Sequence, residues 1–244
     1  MPLILNGIDK GIKEAVAYYW ETLGHQGKTK KGKGKDTGTR TRVTGGKQMT
    51  GFASLVARIL AENGMPKASI YLDRQVELPG FFRANKMWDL IVVHNGHLVA
   101  ALEMKSQVGP SFGNNFNNRA EEAIGTSKDL WTAYEEGAFG KGPTPWLGWV
   151  MLLEDCKKSQ EPVGVKEPHF KVFPEFRDAS YAKRYELLLR RLVRQRYYTK
   201  AAFLLSTEKE GKLGRYAEPA NDLRIHDLFV SLAGHIGTIV ASQS

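Results

Sequence analysis

An α/β fold is predicted for this chain by three features of its sequence. Apolar positions recur first at helical and then at strand spacing, Asn95-Gly96 signals a hairpin, and "WLGWVMLLE" at 146–154 suits a strand buried on both faces. The order they give is helix, three strands, helix, strand, with additional N- and C-terminal helices. The 244 residues can bury a sizeable core, and neither an internal repeat nor a long linker calls for division. One domain over 1–244 is expected, with its core at about 50–155.

Taken in order, Asp9 can cap a first helix carrying Ile12, Val16, Tyr19, Trp20 and Leu23 on one face, with Gly24 as its stop. Residues 27–47, "GKTKKGKGKDTGTRTRVTGGK", hold almost no apolar side chain and a single acid, Asp36. Such a segment (about 27–48) cannot fold alone; it is a solvated linker or a basic arm that orders on a phosphate backbone. A P-loop reading of "GHQGKT" fails, because two residues rather than four separate its glycines and no strand precedes it. Thr50 opens a second helix with Phe52, Leu55, Val56, Ile59 and Leu60 inward and Gly64 at its end. Strands follow at 68–78, 88–94 and 98–105. Asn118 and Glu121 resemble a capping box for a helix presenting Ile124, Trp131 and Tyr134, which leads into the 146–154 strand. From about 157 the chain is expected to be helical, including a basic helix over 181–198 with Tyr185, Leu188 and Leu192 inward and a last helix near 221–240.

The net charge is +9, which fits an anionic partner such as nucleic acid. Cys156 is the only cysteine, so an intrachain disulfide and a multi-cysteine zinc site are excluded and a reducing cytosol is favoured. With no signal-peptide pattern and no apolar run of about 18 residues, a soluble intracellular protein with no membrane contact is expected.

The central strands carry charges where burial is expected. Asp89, Glu103 and Lys105 stand in "WDLIVVHNGHLVAALEMK", residues 88–105. Buried charges persist when they are paired or hold a metal. By strand alternation Val99, Ala101, Glu103 and Lys105 share one face, and Leu98, Ala100, Leu102 and Met104 the other. A regular two-residue loop at Asn95-Gly96 would set Asp89 against Leu102. Bringing Asp89 opposite Glu103 requires a three-residue loop or a bulge near Gly96. If the acids converge, two carboxylates and the Met104 carbonyl suit Mg²⁺. Lys105 could then orient the attacking water, or help deprotonate it with a pKa lowered by the neighbouring cation. The other reading is a salt bridge at a sheet edge. A histidine-metal site at "HNGH", 94–97, is less economical than two turn histidines.

Asp89 with Glu103-Met104-Lys105 on a central hairpin resembles the PD-(D/E)xK nuclease core, Trp88 standing where that pattern often has Pro. The stretch from 87 to 131, above all "KSQVGPSFGNNFNNR" at 105–119, together with "LPGFFR" at 78–83, is similar to the XhoI family of type II restriction endonucleases. This resemblance implies a prokaryotic, cytoplasmic, Mg²⁺-dependent homodimer. It would cut double-stranded DNA at CTCGAG after the first base, leaving four-base 5′ overhangs. Asp89 and Glu103 would be the metal ligands and Lys105 the catalytic lysine, and a separate methyltransferase, with no direct contact expected, would protect the host genome. A non-catalytic DNA-binding module with a decayed core is the alternative, and a structure-specific repair or RNA nuclease a third possibility.

Base or phosphate contacts are expected from Asn114, Asn115, Asn117 and Arg119, since Asn can pair with adenine and Arg with guanine. The alternative is that these asparagines cap and turn the chain. Gly109 and Gly113 would let the backbone approach DNA closely. Arg83 and Lys86, just before Asp89, are candidate phosphate clamps, or solvated loop cations.

Overall fold

The computed structural model describes residues 3–28 and 47–242. Residues 29–46, and with them most of the basic arm expected at 27–48, lie outside the described residues.

Helix α1 spans Ile8–Lys28 and α2 spans Thr50–Glu62, each burying the apolar stripe expected of it. Helix α1 runs past Gly24, a correction to its expected stop; one glycine weakens a helix by about 1 kcal/mol and does not by itself end it. Gly64 does close α2, taking the left-handed φ of +96°.

A five-stranded mixed sheet forms the centre, in the order β1 (Ile70–Leu72), β4 (Leu90–His94), β5 (His97–Gln107), β6 (Trp146–Glu154), β7 (Lys200–Ser206). Strands β1, β4 and β5 pair antiparallel, and β5, β6 and β7 parallel. Between β1 and β4 the chain makes a small separate ribbon, β2 (Glu77–Pro79) with β3 (Asn85–Met87). The strand expected over 68–78 is thus two strands in two sheets. Asp73 and Gln75 adopt left-handed φ values of 59° and 55° and break it, and Asp tolerates that conformation in a turn.

Helices cover both faces of the sheet. On one, α1, α2 and the last helix, α7 (Ile225–Ala241), pack with Leu102, Met104, Val150 and Leu204. On the other, α3 (Phe112–Glu135) and α5 (Tyr181–Arg194) pack with Ile91, Ala101, Trp149 and Phe203. Two one-turn helices, α4 (Lys157–Gln160) and α6 (Glu208–Gly211), follow β6 and β7.

Strand β7 corrects the expectation of a helical end beyond 157. "KAAFLLS" is a short apolar run, which periodicity cannot distinguish from a piece of buried helix. The helix before it ends at Arg194 rather than 198, and Arg196 at φ 59° turns the chain into the strand. Helix α3 starts at Phe112 after Pro110 and Ser111, so Asn118 is a mid-helix residue rather than a cap, and Ile124 is exposed rather than inward.

The hairpin loop has two residues: His94 pairs with His97, and Asn95 and Gly96 take left-handed φ values of 51° and 76°. Beyond it, Val93 pairs with Leu98 but Val92 pairs with Ala100, so Val99 is an extra residue in β5. This bulge corrects the simple alternation. Val99 packs on the α1/α2/α7 side together with Ala100, and Leu98 on the side of Ala101. His235 of α7 fixes the bulge through a 3.1 Å bond between its Nε2 and the Val99 carbonyl.

Burial holds the His235 imidazole below its usual pKa, against the raising influence of that bond. As pH falls through about 6.5, the unfolded chain therefore takes up the proton first and stability declines. His235→Gln is expected to flatten the change in urea midpoint between about pH 7.5 and about pH 5.5. Equal slopes for the two proteins would show that this ring does not titrate with folding.

Candidate active site

The ladder that pairs Leu90 with Leu102 brings Asp89 and Glu103 opposite one another at the next position. Both carboxylates, with Lys105 two residues further along β5, then lie on the face that meets α3. The bulge at Val99 supplies the one-residue shift this convergence demands.

The Lys105 ammonium lies 2.5 Å from Glu103 Oε2, 3.6 Å from Asp89 Oδ2 and 3.3 Å from Glu122 Oε1. Asp89 Oδ2 also accepts the Met104 backbone N–H at 2.6 Å, which ties the start of β4 to the centre of β5. The Glu103 side chain is 1% exposed, Lys105 16% and Asp89 38%, so the cluster opens to solvent on the Asp89 side. Burial pushes the Glu103 carboxyl up, opposed by Lys105 and Lys86 and reinforced by Asp89. Burial alone would lower Lys105, but the carboxylates of Glu103, Asp89 and Glu122 outweigh it and hold the lysine above its usual range. The protein groups by themselves thus favour an orienting ammonium rather than a lowered, proton-accepting amine.

Lys86 belongs to this cluster. On β3 it donates to Glu103 Oε1 and to the Met87 carbonyl, and its ammonium lies 4.8 Å from the centre of the Trp88 ring. It is therefore a half-buried partner of Glu103 rather than a solvated loop cation. Arg83 is engaged elsewhere: its Nε donates to Asp129 Oδ2 at 2.7 Å, and Asp129 Oδ1 accepts the backbone N–H groups of Phe81 and Phe82 at 2.8 Å each. Gly80 is required beside this clasp, since a Cβ there would stand 2.5 Å from Asp129 Oδ2. "LPGFFR" thus holds the β2–β3 turn on α3, and so sets where the ribbon delivers Lys86.

The turn from β5 into α3 is fixed by side chains of the "KSQVGPSFGNNFNNR" stretch. Gln107 donates to the Phe112 carbonyl at 3.1 Å and accepts from the buried Tyr185 hydroxyl, and Glu154 accepts the Gly109 N–H at 2.7 Å. Phe112 and Phe116 pack inward on Tyr181 and Tyr185, leaving Asn114 and Asn117 exposed and Asn115 partly so. Gly113 has a packing reason of its own, because a Cβ would meet the Tyr181 hydroxyl at 2.6 Å. Arg119 lies one turn before Glu122 and contacts its Oε2 at 2.5 Å.

Sequence reasoning missed Glu122 as a member of this site. It belongs to no short motif, and its only signal was a place on the helix after β5.

The donor set is oxygen only. Asp89 and Glu103, with the backbone between them, suit a hard divalent cation that keeps waters and phosphate oxygens as its other ligands. Among the described residues no group of three or more His, Cys, Asp or Glu side chains is arranged to hold a metal.

The model of the family "Restriction endonuclease XhoI" matches residues 27–218. The chain belongs to the XhoI restriction endonuclease family. Within it, the chain is 51% identical over 217 residues to the type II restriction enzyme BstVI of Geobacillus stearothermophilus, covering 87% of this chain and 97% of that enzyme. It is 45% identical over 195 residues to the type II restriction enzyme XhoI of Xanthomonas vasicola, covering 79% and 78%. Against the type II restriction enzyme AbrI of Azospirillum brasilense it is 49% identical over 173 residues, covering 70% and 78%. No solved structure matches the chain. XhoI-family membership agrees with the mixed α/β architecture. Among the described residues no helix is long and apolar enough to cross a membrane.

Proposed function

We propose that this chain is a Mg²⁺-dependent, homodimeric endonuclease that cuts both strands of DNA at a palindrome. The expected site is CTCGAG, cut after its first base to leave four-base 5′ overhangs. The observation that carries this reading is the convergence of Asp89, Glu103 and Lys105 on one open-sided face of the sheet, in a chain of a restriction endonuclease family. The same convergence supports a PD-(D/E)xK core for the sheet and its flanking helices.

Asp89 and Glu103, with the Met104 carbonyl, would hold the cation. When bound, Mg²⁺ neutralises phosphate charge and makes its bound water more acidic. Lys105 presents a protonated ammonium beside the two carboxylates, placed to orient the attacking water and a phosphate oxygen. Arg119 and the exposed Asn114 and Asn117, with Asn115, lie on the helix next to this face and are assigned to the DNA. Lys86 sits where a cation entering on Glu103 would release it toward phosphate, and Arg83 is assigned to the rim. A palindrome suits a two-fold dimer, each subunit reading one half-site. A partner methyltransferase would act on the same site in a bacterial cytoplasm without touching this chain.

Digestion of unmethylated plasmid with and without Mg²⁺, followed by sequencing of the fragment ends, tests this. Ends at CTCGAG only when Mg²⁺ is present are expected. Ends at another single site would discard the recognition sequence and keep the mechanism. DNA bound but uncut would favour the binding-module reading.

A further inference from the structure

We infer that Glu122 is the residue that positions Lys105 for catalysis, and that Arg119 in turn positions Glu122; this rests on the reading of Lys105 as the catalytic lysine. Three carboxylates surround the Lys105 ammonium: Glu103 at 2.5 Å, Glu122 at 3.3 Å and Asp89 at 3.6 Å. Two of these are the side chains a divalent cation would take. Once they turn to it, Lys105 loses both partners and meets a like charge beside it, which drives the ammonium away. Glu122 is the acceptor left. It stands on a different element, α3, and so keeps its place whatever the hairpin carboxylates hold.

The two Glu122 oxygens are divided in the way this role needs. Oε1 faces Lys105, and Oε2 is held by Arg119 Nη1 at 2.5 Å. An i,i+3 ion pair on a helix contributes little to stability, so stability is a weak reason for the pair. Fixing which oxygen faces the strand is a stronger one. Helix α3 supplies the rigid base, because Ala123, Thr126, Ser127 and Leu130 beside Glu122 are all buried.

The decisive measurement is Mn²⁺ affinity without DNA, read from the electron paramagnetic resonance of the free ion. Glu122→Gln leaves Lys105 leaning on Glu103 and Asp89, where it competes with the cation. A loss of affinity of about 10-fold is expected, as for other partners of metal-site residues. In a Lys105→Met background the same substitution is expected to change nothing. Loss of equal size in both backgrounds would mean that Glu122 acts on the cation directly, and would overturn the proposal, as would no loss in either. Under single-turnover conditions at saturating enzyme, Glu122→Gln should slow cleavage by about 30- to 100-fold, the scale of a misplaced catalytic group. In the DNA-free Mn²⁺ measurement, Arg119→Ala should add no further loss of affinity to that variant. Wild-type cleavage by Glu122→Gln, or Mn²⁺-affinity losses that multiply, would also overturn it. Melting within about 3 °C of wild type shows that the variants fold. If Lys105→Met still cuts at the wild-type rate, the assignment of Lys105 fails, and this inference with it.

Discussion

Asp89→Asn is expected to abolish cleavage and leave the fold intact, whereas Glu103→Ala is expected to lose both. The difference lies in what each carboxylate holds in the protein itself. Asp89 is more than a third exposed, and the Met104 N–H it accepts can be accepted equally by an Asn carbonyl oxygen. On the proposed assignment its loss removes a cation ligand, so single-turnover cleavage should drop by about 10³-fold or more. Glu103 is buried between two ammonium groups, Lys86 on Oε1 and Lys105 on Oε2. Breaking a buried ion pair by removing one partner destabilises by about 3–5 kcal/mol, and here two cations lose their nearest carboxylate at once, Lys105 keeping Glu122 and Asp89 and Lys86 only the Met87 carbonyl. The measurements are cleavage, DNA affinity with Ca²⁺ in place of Mg²⁺, and urea unfolding of the metal-free proteins. A Glu103→Ala protein as stable as wild type would show that the two lysines find other partners. An Asp89→Asn protein that still cuts would remove Asp89 from the cation site.

The second large effect is expected at Asp129, outside the charged cluster on the same helix as Glu122. Burial alone would raise this carboxyl, but the N–H groups of Phe82 and Phe81 and the guanidinium of Arg83 outweigh it and hold the group below the usual carboxylate range. A depressed carboxylate stabilises the fold at any pH above the unfolded value of about 3.9. That stabilisation disappears as pH falls further, through the lower pKa of the folded state. Asp129→Ala leaves two backbone donors and a guanidinium without their acceptor, and should cost about 3 kcal/mol at neutral pH. It should also weaken the acid dependence below about pH 4 that the wild type shows. Denaturant titrations at neutral and acid pH check both. Because the clasp aims the ribbon that delivers Lys86, cleavage by this variant should fall even where it remains folded. An unchanged urea midpoint would show that water replaces Asp129 without penalty.

The charged hairpin was legible in the sequence because the residues concerned are few and local. Two-residue alternation placed Glu103 and Lys105 together, and the Asn95-Gly96 signal gave the turn. Between them they exposed the register conflict that a bulge had to resolve. What stayed hidden depended on other elements. Val99 and Ala100 are both apolar, so no pattern marked which residue was extra; the His235 bond that fixes it comes from α7. Glu122 enters the cluster only through the packing of α3 on β5. Lys86 looked like a loop cation because the β2–β3 ribbon depends on left-handed turns at Asp73 and Gln75 and on a clasp from Asp129. Strand β7 was concealed by a short apolar run that helix and strand share.

The extra residue in β5 also bears on how such a site can be gained or lost over generations. In an unbulged hairpin with this loop, Asp89 would face Leu102 and no cluster would form, even with every acid and lysine still encoded. A one-residue insertion here thus loses the cluster unless a bulge absorbs it, whereas deletion of the extra residue would leave a regular ladder with Asp89 still opposite Glu103. A chain one residue shorter between Asn95 and Glu103 would therefore carry the same cluster on a regular hairpin, and the bulge is the device that lets the strand vary in length while the three charges stay together.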